Sequence, residues 1–323
     1  MGRTYSVNGY INAVLQRSSP TLLVEGVSDK SMMHRLIAER ALPPGSQCSI
    51  DHSAIFDDRS LQCQGAKAKV LHVTAEINRL SQNVSRLSSK FASLVDREWD
   101  GLSTDPRTAV ESWSQPQQSA TAFVTIGHSI ENYHFHPDCF VDYLRFAFAE
   151  HFSAEVEASV RNRFANAVAL AGAVSCLARD TQCLTRISGL IGSTHIELTP
   201  VGTFYLTNGL VGPLAARGGV DATTFVAQVN AAVDTHWAAL SNNQDSRWVL
   251  HGHVGSEVIW ACVGLAAISA GVSAEVGERI ARGFQSERQR CWLTWLSRVN
   301  PELRKPLDQA IDLLLSPLPE GAC

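Results

Sequence analysis

Residues 21–30 read Thr21-Leu22-Leu23-Val24-Glu25-Gly26-Val27-Ser28-Asp29-Lys30. Three apolar residues run into a carboxylate and a glycine, bounded upstream by Ser18-Ser19-Pro20. A short apolar run between two breakers reads as a buried strand. Ser28 reads as a helix cap, with a helix following over Lys30 to Arg40. The strand would deliver Glu25 to its carboxyl end, where open parallel sheets place their ligands.

Outward from this stretch, strand and helix alternate. A second strand is expected over Gln47 to Phe56. A long helix opens at Gly65 and runs to about Ser88, with Val70, Val73, Ile77, Leu80 and Val84 at three- and four-residue steps. Phe91 to Val95 reads as a third strand, ending in Asp96-Arg97-Glu98-Trp99-Asp100. Residues 101–119, rich in Ser, Pro and Gln, read as a loop. A fourth strand, Thr121 to Ile126, leads into Ser129-Ile130-Glu131-Asn132-Tyr133. The alternation predicts an α/β fold with a small parallel sheet. After Pro137 the pattern turns helical, with a hairpin expected over Thr194 to Asn208 and a helix capped by Asp221. An apolar helix is expected over 256–273, and a last helix from Glu275 to about Ser297. The division predicted is a sheet domain over 1–138 and a mainly helical domain with a small β element over 139–323.

Composition narrows the function. Of 323 residues, 45% are apolar and 18% charged, as in an ordinary globular protein, and the net charge of −4 disfavours a surface that coats nucleic acid everywhere. Eight cysteines without a C-x-x-C pair predict a reducing, cytoplasmic setting and no zinc knuckle. No hydrophobic segment opens the sequence, and the uncharged run Val258 to Ala274 reads as a buried helix, so no membrane partner is expected. No P-loop, G-x-S-x-G, H-E-x-x-H or dinucleotide fingerprint occurs.

The acidic stretches carry the chemistry. In a parallel sheet Glu25, Asp96 and the 128–131 segment would lie along one edge. In an extended chain residues i and i+2 share a face, so Asp96 and Glu98 could reach one ion, with Asp100 a third candidate. Gathered carboxylates need a cation, and hard oxygen ligands suit Mg²⁺ or Mn²⁺, whose use is phosphoryl chemistry. Each residue also has a plain structural reading. Asp29 and Asp100 suit caps and turns, and Glu131 could brace the Ser129 turn as readily as bind metal. His134 and His136 lack an evident third ligand. Lys67 and Lys69 at a helix start could meet phosphate, or line a solvated basic face. Arg282 and Arg288 on the last helix are candidate nucleic-acid contacts.

E-G-x-x-D after one strand and D-x-[D/E]-x-D after a later one resembles the TOPRIM domain of topoisomerases, primases and OLD-type nucleases. With Ser129-Ile130-Glu131-Asn132-Tyr133 added, the order of motifs resembles the TOPRIM-like nucleases of bacterial phage-defence operons, including the toxic subunit of PARIS-type systems. The resemblance covers roughly residues 20 to 140. It implies a TOPRIM-like (Rossmann-like) parallel-sheet domain ahead of the helical one. It also implies a Mg²⁺-dependent endonuclease acting on RNA, such as tRNA, or on DNA. The implied setting is a toxic effector restrained by an ABC-class ATPase of the same operon and active as a homodimer. By position, Glu25 would be general base or metal ligand and Asp29 a second-site ligand. Asp96 and Glu98 would hold the principal metal, with Asp100 and Glu131 supporting. Two positions depart from the family pattern: Glu98, where Asp is usual, and His253, where a Gly-Lys pair would supply Lys. His253 could still contact phosphate when protonated. These departures motivate the alternative of a non-catalytic assembly subunit with a vestigial site. A primase or topoisomerase reading lacks a zinc module and a catalytic tyrosine context.

Overall fold

The computed structural model describes residues 4–40, 47–56, 65–102, 119–234, 244–283 and 301–315. The chain divides into two compact units, and both are discontinuous in sequence. The first takes Met1–Arg97, Pro116–Ile126 and Val299–Cys323; the second takes Glu98–Gln115 and Gly127–Arg298. The second unit therefore begins at Gly127 rather than after residue 138, and the C-terminal segment belongs with the sheet. The reason is one of packing: the change of character at Pro137 is a change of sequence pattern, not the place where packing partners change.

The first unit is an α/β layer structure. Strands β1 (Thr21–Val24), β2 (Ser49–His52), β3 (Phe91–Val95) and β4 (Ala122–Val124) form one parallel sheet in the order β2-β1-β3-β4. β1 and β3 are buried along their whole length, which is why their sequences are nearly continuous apolar runs, whereas the edge strands β2 and β4 are only half-buried. β2 is shorter than predicted because Ser53–Ile55 leaves the ladder as a turn of 3₁₀-helix. There the Ser53 hydroxyl donates to the Glu25 carbonyl at 2.7 Å.

Helices α1 (Val7–Gln16) and α3 (Ala66–Ser81) pack on one face. Their Tyr10, Ile11, Val14, Val70, Val73 and Ile77 form a single cluster with Leu23, Phe91 and Val95 of the central strands. Leu22, Ala92 and Leu94 alternate to the other face and are equally buried. Helix α2 (Val27–Glu39) connects β1 to β2 and packs on β2. The last described helix, α11 (Pro301–Leu315), lies across β1, β3 and β4 with Leu307, Ala310, Ile311 and Leu314 buried. Arg40 at the end of α2 forms ion pairs with Asp308 and Asp312 of that helix.

The second unit is mainly helical, as expected. It holds α4 (Pro137–Ala147), α5 (Ala154–Asp180), α6 (Leu184–Ile187), α7 (Val211–Arg217), α8 (Ala222–Ala232), α9 (Gly252–Ser269) and α10 (Ala274–Arg282). Strands β5 (Ile196–Leu198) and β6 (Phe204–Leu206) pair antiparallel as the predicted hairpin. α9 packs on α5 and α10. It is the one helix, among the described residues, long and apolar enough to cross a membrane, and 67% of it is buried inside the structure. Its crossing with α10 is glycine-dependent, since a Cβ at Gly264 would sit 2.5 Å from the Gly277 carbonyl oxygen. Cysteines in these helices behave as small hydrophobes: Cys262 is fully buried, and burial pushes the Cys176 thiol up to about 12. The expected helix from Glu275 is described only as far as Arg282, so its continuation to Ser297 lies outside the described residues.

Candidate functional site

Strand order decides where a ligand can sit on the first unit. β1 connects through α2 to β2 on one side, and the chain then crosses back through α3 to β3 on the other. β1 and β3 are thus neighbours whose connections leave in opposite directions, and the carboxyl ends at such a switch point border the natural binding crevice of an open α/β sheet. Glu25 follows β1 and Asp96 follows β3. They are brought together: Glu25 Oε1 accepts from the Asp96 backbone N–H at 2.7 Å. Both residues are half-buried.

Asp29 stands one turn into α2, 9% exposed, with Oδ2 accepting the Gly26 N–H at 2.8 Å. The helix cap is therefore Gly26, with Asp29 reaching back to it, rather than Ser28. The capping role of Asp29 leaves Oδ1, 3.4 Å from the Ser28 hydroxyl. Between the acidic positions, Arg97 is fully buried. Its N–H donates to Thr125 Oγ1 at 2.9 Å and its Nη1 to the Ile126 carbonyl at 3.0 Å. The middle residue of Asp96-Arg97-Glu98 thus ties the end of β3 to the end of β4. Lys67, at the start of α3, donates to the Arg97 carbonyl at 3.1 Å. Lys69 is half-buried on the same turn.

Glu98, Asp100 and Glu131 belong to the second unit. Glu98 takes a left-handed conformation with φ +58° and opens a turn over 98–101. The alternation argument that would aim Asp96 and Glu98 the same way requires an extended chain, and the chain is not extended here. Glu98 and Asp100 are both exposed. Their turn is held by the Glu98 N–H to the His128 carbonyl at 2.6 Å and by Trp99 Nε1 to the Val249 carbonyl at 3.1 Å.

The Ser129–Tyr133 motif is largely architectural. Asn132 is fully buried; its Oδ1 accepts from the Ser129 N–H at 2.6 Å, and its Nδ2 donates to the carbonyls of Arg247 and Leu250 at 2.6 and 2.9 Å. One amide side chain therefore staples the 129–134 turn to the segment that enters α9. The Tyr133 ring meets Trp248 edge to face with centroids 4.9 Å apart. Glu131, 8% exposed, lies against the first turn of α9, where a Cβ at Gly252 would come within 2.5 Å of its Oε2. A carboxylate there is favoured by the positive end of the helix. His253 Nδ1 is 3.6 Å from Glu131 Oε1, and its side chain is otherwise exposed. His251 caps α9 through Nδ1, which accepts the Val254 N–H at 3.3 Å. Burial pushes its pKa down to about 4, with His253 contributing. Its ring stands 4.9 Å from His128 and 5.8 Å from Trp99. Arg282 is exposed and pairs with Glu278 at 3.0 Å. Arg288 lies outside the described residues.

Among the described residues, no three His, Cys, Asp or Glu side chains are gathered closely enough to cage a metal ion. Mg²⁺ rarely uses such a cage; it keeps several waters and is held through one or two carboxylates and the substrate's phosphates. Glu25 and Asp96, hard oxygen donors joined at adjacent strand ends, fit that mode. They do not fit a closed all-protein site. Compared with known proteins, the chain matches no family model and no curated protein.

Proposed function

We propose that the chain is a TOPRIM-like, Mg²⁺- or Mn²⁺-dependent endonuclease that hydrolyses phosphodiester bonds of RNA or DNA. In this reading it is a cytoplasmic toxic effector of antiphage defence, restrained by an ABC-class ATPase partner and active as a homodimer. One observation carries the reading: Glu25 and Asp96 follow neighbouring strands at the sheet's switch point and are linked by the 2.7 Å hydrogen bond. Glu25 and Asp96 would hold the metal, with Asp29 as a second-site ligand through the motif resemblance. Glu98, Asp100 and Glu131 enter as supporting acids through the motif resemblance alone, as do Lys67, Lys69, His253, Arg282 and Arg288 as nucleic-acid contacts. A bound divalent ion would supply charge neutralisation at the scissile phosphate and a more acidic water. The chain's own part is to hold Glu25 rigid, through the amide of Asp96 on one side and Ser53 on its carbonyl on the other.

A specific observation favours a second reading. Glu25 and Asp29 each accept a hydrogen bond from a backbone amide, which is what purely structural carboxylates do. In that case the chain is a non-catalytic assembly subunit. The experiment that decides uses purified chain with its ATPase partner, a mixed RNA and plasmid substrate, and Mg²⁺ or EDTA. Wild type should cleave with Mg²⁺ alone. Glu25→Gln, which keeps an acceptor for the Asp96 amide, should lose roughly 100-fold or more in rate while unfolding at the same urea concentration. Equal cleavage by both proteins, or none by either with the partner engaged, selects the assembly reading.

A further inference from the structure

Asn-Gly occurs twice in the sequence, at Asn8–Gly9 and Asn208–Gly209. The dipeptide pairs an electrophile with a nucleophile: the glycine amide nitrogen can reach the Asn Cγ, because glycine has no side chain to block the approach. Both asparagines are exposed, and both stand just inside a helix start. In both places the capping hydroxyl holds the nucleophile. The Gly9 N–H donates to Ser6 Oγ at 3.1 Å, and the Gly209 N–H donates to Thr207 Oγ1 at 3.2 Å. The Thr207 hydroxyl donates in turn to the Thr194 carbonyl at 3.4 Å, which turns its lone pairs towards Gly209.

The two sites differ in what must move before the reacting atoms meet. A helical turn keeps the glycine nitrogen away from Cγ, so the turn has to open. Asn8 lies in the ten-residue helix α1, whose Tyr10, Ile11 and Val14 are buried in the core of the first unit. Asn208 lies in a three-residue 3₁₀-helix, Asn208–Leu210, between β6 and α7. Such a turn has poorer hydrogen-bond geometry than an α-helix. It is closed by the Leu210 N–H on the Thr207 carbonyl at 3.2 Å, and only Leu210 of its three residues is buried. We propose that Asn208 is a modification site: it deamidates spontaneously through a cyclic imide with Gly209, at a rate set by the Thr207 hydroxyl. A solvent base removes the Gly209 amide proton, and the nitrogen attacks Asn208 Cγ. The new N–Cγ bond closes the imide ring as the Cγ–Nδ2 bond breaks, and ammonia leaves with a proton from water. Water then opens the imide, at Cγ to give aspartate or at the main-chain carbonyl to give isoaspartate. Either product adds a negative charge beside Thr207, and isoaspartate also lengthens the main chain between β6 and α7 by one carbon. The inference does not depend on the nuclease reading.

The test is peptide mapping by mass spectrometry of the full folded chain, kept at mildly alkaline pH and sampled over weeks. The peptide holding Asn208 should gain about 1 Da, with isoaspartate in the product and ammonia released in equal amount. Asn8 is the internal standard and should convert at least about tenfold more slowly, because its helix opens less often. In urea, where both turns are lost, the two sites should convert at similar rates. Thr207→Val removes the hydroxyl and should speed conversion of Asn208 about 2- to 30-fold, the worth of a capping side chain. Thr207→Ser keeps a hydroxyl and should leave the rate at the wild-type value. The comparison with Asn8 needs no variant and stands if Thr207→Val does not fold. No conversion at Asn208, conversion of Asn8 as fast as Asn208 in the folded chain, unequal rates in urea, or an unchanged rate in a folded Thr207→Val protein would overturn the proposal.

Discussion

At Glu98 the backbone sits at φ +58°, a region that costs a non-glycine residue about 1–2 kcal/mol and that Asp and Asn tolerate better than Glu. The strain is sustained by its surroundings: the Glu98 amide donates to His128, and the indole of the next residue donates to Val249. Three substitutions separate conformation from chemistry. Glu98→Gly and Glu98→Asp should leave urea-unfolding stability unchanged or raise it by up to about 1 kcal/mol, and Glu98→Val should lower it by about 1–2 kcal/mol. If all three unfold alike, the left-handed turn is not where Glu98 exerts its effect. Asp at this position, usual in the resembled family, is thus also the easier residue for the backbone. The roles of Asn132 and Arg97 were not legible in the sequence. A buried amide that bonds carbonyls more than a hundred positions away leaves no local pattern, and an arginine between two acids gives no sign of the Ile126 carbonyl to which its side chain donates.

Among the elements, the central strands were legible because burial on both faces writes itself as unbroken apolar runs, and Thr21–Val24 and Phe91–Val95 form as expected. Ends were less so. Gly26 rather than Ser28 caps α2, its N–H donating to Asp29 three residues on, and β2 stops early where Ser53 turns to bond Glu25. Helix α9 shows what a cap can add. His251 holds the first turn as a neutral imidazole, with its pKa moved from 6.5 to about 4 chiefly by burial. A base whose folded pKa is depressed contributes stability that is fully present above its unfolded pKa and is lost as pH falls. The window is therefore between about 6.5 and about 4, where the unfolded chain takes up the proton first. The full shift corresponds to about 3 kcal/mol, an upper bound on what this one side chain withdraws. His251→Asn keeps a capping oxygen and removes the titration. Chemical denaturation across pH 7 to 4 should show a shallower loss of stability than wild type; parallel curves would refute the assignment.

For the molecule as a whole, the sequence pattern identified which face of each helix is apolar but not which partner that face meets. Residues 301–315 are the clearest case: the last helix expected from the sequence ended at about Ser297, and the structure forms a further one here. The structure places them on the sheet, with Leu307, Ala310, Ile311 and Leu314 buried and Arg40 paired to Asp308 and Asp312. A parallel sheet needs cover on both faces, so this helix is part of the sheet unit's core and not an appendage. Ile311→Ala should lower stability by about 2–4 kcal/mol and raise hydrogen exchange in β1 and β3 more than in α5 or α9. Uniform loosening of both units, or none, would argue against that placement.

Among the described elements of the sheet unit, helix α11 is also made last. The ribosome produces β1 some 277 residues before it reaches Pro301, an interval of roughly 15 to 55 seconds at about 5–20 residues per second. Through that interval the strands bearing Glu25 and Asp96, once made, lack one layer of their cover, and the described helices of the second unit are made before it arrives. Any reactivity that needs a settled sheet edge is therefore deferred until residues 301–315 have been made. A message cut before codon 301 yields a chain with the described helices of the second unit but with acidic strand ends that have nothing firm to stand on.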